Sequence, residues 1–113
     1  MILNRDLGNK LGMAKALMGF GELALAQNDP ERSVRLFAAA EALRQTIGAP
    51  MPATERTRFE SDVARVQALL EKETFAAAWN AGKKMTDEEA VSYALKEKWR
   101  ISNSMLHRAS GQS

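Results

Sequence analysis

The chain has 113 residues with a net charge of +2 from 16 basic and 14 acidic side chains, so it forms one small domain with one modest core. It has no cysteine, which excludes disulfides and thiolate metal sites and suits a reducing compartment. Nineteen alanines and twelve leucines stand against seven aromatic residues, and no alternating Val/Ile/Thr run suits a half-buried strand, so the expected fold is all-α.

In chain order, Leu3 and Leu7 read as the last turn of a helix that ends at a Gly8 cap, with Asn9 capping the next. From Lys10 to about Gln27, Leu11, Ala14, Leu17, Met18, Gly21, Ala24 and Leu25 fall at three- and four-residue steps, which is one helical face. Asn28-Asp29-Pro30 stops that helix and starts another, because aspartate caps and proline suits the first helical position. The second helix carries Val34, Phe37, Ala40, Ala42 and Leu43 and ends at Gly48. Pro50 and Pro52 make a rigid connector, after which Thr54 caps a third helix reaching about Leu70, with Phe59, Val63, Val66 and Leu69/Leu70 inward.

Glu71 to Gly82 is a short fourth helix bearing Phe75, Ala78 and Trp79. Thr86 and Glu89 make a capping box opening a fifth helix, along which Val91, Leu95, Trp99, Ser102 and Leu106 extend the pattern as far as His107. The expected organisation is a single helical-repeat domain over residues 1–107 and a flexible tail over 108–113. No segment has the length and apolarity of a signal peptide or a membrane span, so the expected location is the cytoplasm with no membrane partner.

The chain also repeats itself. Phe37-Ala38-Ala39-Ala40 returns 38 residues later as Phe75-Ala76-Ala77-Ala78, each copy followed by a glycine, Gly48 and Gly82, with Gly8 lying 40 residues before Gly48. Self-similarity at such a period marks a solenoid, in which helix pairs stack because one pair cannot bury its own apolar face.

Leu17, Phe20, Gly21 and Ala24 on one helix, then Ser33, Phe37 and Ala40 on the next, resemble the tetratricopeptide repeat. The resemblance implies stacked antiparallel α-hairpins in a right-handed superhelix of about five helices, in which a small residue on the first helix accepts Phe37 from the second. It assigns repeat packing to these residues and to Phe75, Ala78 and Trp79. A narrower likeness runs from Leu7 to Leu95, through Leu7-Gly8-Asn9, Arg35 to Arg44, Ile47-Gly48-Ala49-Pro50, Phe75 to Trp79, and Glu89-Ala90-Val91 with Ala94-Leu95. These stretches are similar to the C-terminal end of large bacterial STAND-type regulatory ATPases, including LuxR-type transcription regulators and cyclase-linked ATPases. That likeness implies a non-catalytic protein-interaction or scaffolding module within a transcription-regulatory or signalling protein.

Catalytic machinery is not legible. His107 is the only histidine, and Leu106, Arg108 and Ala109 beside it offer no partner for a general base or a metal. Asp87, Glu88 and Glu89 are consecutive on a helix, point in different directions and suit the positive end of its dipole. The expectation is therefore no enzyme, no cofactor, no metal, and a protein partner of unknown identity.

Interspersed charge argues against nucleic acid as that partner. The alternative is a nucleic-acid-binding helical protein acting through the basic C-terminal helix, where Lys96, Lys98, Arg100 and Arg108 surround Trp99. Lys96, Trp99, Arg100, Met105 and Leu106 form a candidate interaction surface. The N-terminal face of Leu3, Leu7, Leu11 and Met18 lacks a preceding helix pair, so the expectation is either a tail that folds back over the core or a homodimer in which two chains cover one another's open ends.

Overall fold

The computed structural model describes residues 4–95, with side chains from residue 9. Among the described residues there are five helices and no strand, so the chain is all-α. They are α1 (Asn4–Ala26), α2 (Pro30–Ile47), α3 (Ala53–Leu69), α4 (Lys72–Lys84) and α5, which covers residues 87–95.

The turn between α1 and α2 does two jobs with three residues. Asn28 takes the left-handed conformation, φ 62°, so that Asn28 N–H donates to Leu25 C=O and Asp29 N–H to Ala24 C=O at 2.9 Å. These two bonds satisfy carbonyls that α1 leaves open. Asp29 then accepts from Arg32 N–H and caps α2, with Pro30 in its first turn. Gly48 closes α2 in the same manner at φ 68°, with Ala49 N–H donating to Arg44 C=O. A reciprocal capping box starts α5: Glu89 N–H donates to Thr86 Oγ1 at 3.1 Å, and Thr86 N–H to Glu89 Oε1 at 2.8 Å.

Three expected boundaries move. Helix α1 runs straight through Gly8 and Asn9, so Leu7 belongs to the same helix as Leu17. A glycine costs a helix interior about 1 kcal/mol, which tertiary packing of a 23-residue helix outweighs. Thr54 lies inside α3 and makes no cap; Pro52, extended at ψ 156°, offers its carbonyl to Arg56 N–H and starts the helix without a side chain. Gly82 does not end α4, which continues to Lys84.

Two inward faces also differ. Along α3 the steps 59, 63, 66 and 70 hold the inner side, which turns Leu69 outward to 61% exposure. On α5 the buried positions are Ala90 and Ala94, while Leu95 is 53% exposed and Val91 only half-buried. The alanine-lined surface of α1 and α2 admits small side chains at close range, and that requirement selects the face of α5.

The helices are arranged around α2. One apolar cluster joins α1, α2 and α5 through Ala14, Leu17, Leu36, Ala40, Leu43, Ala90 and Ala94. The other joins α1 to α4 through Leu25, Val34, Phe37, Met51, Phe59, Val66 and Ala78. Helices α1 and α4 pack closely along α2, whereas α3 touches α2 and α4 only lightly. The run Ala38-Ala39-Ala40 is wholly buried because neighbours approach α2 from both sides. Its sequence repeat is not its structural equal: Phe75 is half-buried and Ala76 and Ala77 are exposed.

Gly82 explains how α4 comes so close. A Cβ there would lie 2.2 Å from the Arg35 carbonyl oxygen and 2.9 Å from Ala38 Cβ. Gly12, by contrast, faces open space. Gly82→Ala should therefore cost about 2–3 kcal/mol, because backbone must move to admit the methyl group. Gly12→Ala should gain about 0.5–1 kcal/mol from helix propensity alone. Thermal melts check the pair: a fall of roughly 8 °C or more for the first and a small rise for the second are expected, and equal shifts would contradict this packing.

Candidate functional site

The residues expected to pack the repeat divide between the two clusters. Leu17, Ala24 and Ala40 lie in the cluster that includes α5, with half-buried Phe20 against it. Phe37 and Ala78 lie in the other, with Phe75 and Trp79 packed on its edge. The joint between α1 and α2 is also set by a glycine. A Cβ on Gly21 would stand 2.6 Å from two ring carbons of Phe37, so only glycine admits the ring. Buried Ser33 locks the crossing by donating Oγ–H to the Gly21 carbonyl at 2.8 Å. From Phe37 a chain of rings leads outward: Phe59 edge-on at 5.7 Å, Trp79 tilted at 6.4 Å from Phe59, and Phe75 stacked on Trp79 at 5.9 Å.

Because α3 is lightly held, a groove opens between it and α1. Its volume is about 230 Å³, with Met18, Met51 and Phe59 providing apolar lining and Gly19 an open wall. Lys15 and Glu22 come from α1, and Glu55 and Arg58 from α3. A second recess of about 230 Å³ continues the groove to Asp62 and Arg65, sharing Glu22 and Arg58. The Arg58–Glu22 ion pair, 2.9 Å, spans the gap where the two recesses meet. Both partners are solvated enough that this link is weak and readily exchanged.

Arg44 is the firm element of the groove. It is 5% exposed, donates from Nη1 to the Ala49 carbonyl at 3.1 Å and pairs from Nη2 with Glu55 at 3.0 Å. Its buried Nε has no partner. These bonds tie the Gly48 turn to the first turn of α3 and so set the width of the groove.

A second polar cluster holds α5. Arg32, 7% exposed, stacks its guanidinium 4.0 Å from the Tyr93 ring centre and donates to the Tyr93 carbonyl. Arg35 Nη1 donates to the Tyr93 hydroxyl at 3.1 Å, a bond that raises the Arg35 pKa above its ordinary value. Lys10 pairs with Asp87 at 3.1 Å.

No group of three or more metal-ligating side chains converges among the described residues. Asp87 and Glu89 are taken up by Lys10 and by the helix cap. No described helix is long and apolar enough to cross a membrane. Lys96, Trp99, Arg100, Met105, Leu106, His107 and the tail at 108–113 lie outside the described residues.

Lys15, Gly19, Glu22, Arg44, Met51 and Arg58 escaped sequence reasoning as groove residues. Lys15, Gly19 and Glu22 do recur at one outward face of α1, but nothing in that spacing says that α3 stands opposite. Compared with protein-family models, with curated proteins and with solved structures, the chain matches none.

Phe37→Ala should cost about 3–5 kcal/mol, the usual penalty for a fully buried aromatic ring. Gly21→Leu should be comparably harmful, because the ring has nowhere to go. If melting temperatures of both variants stay within about a degree of the parent, the crossing of α1 and α2 is not what holds the fold.

Proposed function

We propose that the chain is a non-catalytic protein-interaction module, a tetratricopeptide-like helical segment of a bacterial transcription-regulatory or signalling protein. The observation that carries this reading is the groove between α1 and α3. It is open, apolar at its base through Met18, Met51 and Phe59, and its rims are charged. Grooves of that kind suit a peptide segment better than a small molecule, which needs enclosure over most of its surface. Two methionines in the lining adapt to side chains of different shape. The Arg58–Glu22 ion pair that crosses the groove is weak, so a partner displaces it at little cost.

The partner is a protein segment, and a second copy of this chain is among the candidates. A photo-reactive phenylalanine analogue in place of Lys15, in the full chain expressed in its native host, tests the reading. The expected result is an adduct of discrete mass that Gly19→Trp abolishes, with none formed from the exposed Ala81 position. The same diffuse labelling from both positions would remove the groove as an interaction site. Binding to a random DNA duplex across a salt series separates the other class: a steep fall of log K with log salt would assign the chain to nucleic acid instead.

A further inference from the structure

The groove between α1 and α3 is not electrically uniform. Its first recess carries three cations, Lys15, Arg44 and Arg58, against two carboxylates, Glu22 and Glu55. Both carboxylates are already engaged: Glu22 pairs with Arg58 at 2.9 Å and Glu55 with Arg44 at 3.0 Å. Lys15 is exposed and makes no ion pair among the described residues. The second recess adds one charge of each sign, Asp62 and Arg65, so the groove as a whole stays one cation in excess.

The excess sits at one end. Glu22 and Arg58 are shared with the second recess, which leaves Lys15, Arg44 and Glu55 at the opposite end. Arg44 adds to the deficit of acceptors there: its buried Nε has no partner, and the side chain of Glu55, which pairs with it, is half exposed. Buried donors are rarely left unsatisfied, so this end is short of one acceptor as well as one negative charge. Beyond Lys15 on the same face of α1, Gly19 has open space where a side chain would stand, with Met18, Met51 and Phe59 as the apolar floor beside it. The four residues from Lys15 to Gly19 rise about 6 Å, the reach of roughly two residues of extended chain. A single carboxylate suits this end better than a phosphoryl group, whose charge of about −2 meets only one uncompensated cation.

We infer that the groove recognises a partner's peptide segment in which an internal Asp or Glu lies within two residues of a long apolar side chain. The carboxylate pairs with Lys15 beside Arg44, and the apolar side chain lies over Gly19 on Met18, Met51 and Phe59. This identity of the occupant rests on the reading of the groove as a protein-interaction site.

Selection of short random peptides, displayed on phage between fixed linkers, against the immobilised full chain tests the inference. Enriched sequences should carry Asp or Glu within two positions of Leu, Ile, Met or Phe at several times the frequency of the unselected library. Synthetic copies of the enriched peptides, acetylated and amidated, then measure affinity. Lys15→Met should weaken binding about tenfold or more, the usual worth of a charge-assisted hydrogen bond. Replacing the peptide's acid by its amide should do the same, and the two losses should not add when combined. Lys72→Met, on α4 and outside both recesses, should change nothing. Selection against Lys15→Glu should yield Lys or Arg in place of the acid.

The change in the peptide leaves the protein untouched, so the outcome does not depend on how any variant folds. Enriched peptides without acidic preference, or losses that simply add, would overturn the carboxylate contact; if Gly19→Trp still abolishes their binding, the interaction module stands. No enrichment over the bare support would overturn the peptide recognition, and the Lys15 adduct in the native host then decides the wider reading separately.

Discussion

Everything else in the fold depends on how closely its neighbours approach α2, and two glycines set that distance. Gly21 lets the Phe37 ring lie on the backbone of α1, and Gly82 lets the backbone of α4 meet the Arg35 carbonyl. The two contacts fall within three residues of α2 and on different neighbours. Once both are made, α2 is enclosed, and the run Ala38-Ala39-Ala40 becomes the natural filling because nothing larger fits. A helix of such modest side chains would be a poor core by itself. It succeeds here because backbone-to-backbone proximity supplies the dispersion contacts that long side chains supply elsewhere.

The same economy shapes the polar interior. Arg32 and Arg44 are both largely buried, yet each serves to fasten one element to α2. Arg44 fixes the Gly48 turn and the start of α3; Arg32 fixes α5 through Tyr93. A guanidinium does this well because its donors spread in a plane and reach two carbonyls or carboxylates at once. The consequence is graded attachment. Helices α1 and α4 pack closely along α2, whereas α3 touches it lightly through Phe59 and Val66, and the groove opens beside α3. Loosely packed elements are where a small domain places its exchangeable contacts.

Much of this was legible in the residues. Asp29-Pro30, Gly48 and the Thr86–Glu89 pair announce helix ends, since each cap is a local bond between neighbours in sequence. The face of α1 from Ala14 to Leu25 was legible too, because a long periodic stretch leaves one solution. The fit of Phe37 to Gly21 was visible only through a resemblance, as nothing in either residue points to the other. Gly8 and Gly82 misled for one reason. A glycine reads as a stop, but whether it stops a helix depends on what packs against it. Leu69 and Leu95 misled likewise, because an apolar side chain near a helix end does not say which side its partner occupies. The groove was invisible, being a property of the space between α1 and α3.

The sequence by itself determined the all-helical class, the two sharpest turns and the start of α5, because helix propensity, capping and proline geometry act within a few residues. Tertiary structure alone decided that α2 is the centre, that the repeated Phe-Ala-Ala-Ala segments differ in burial, and that α5 returns to the first hairpin. It also decided which charged side chains face one another across a groove. Those outcomes depend on distances between backbones far apart in the chain, and such distances are fixed only when all the helices compete for the same small core.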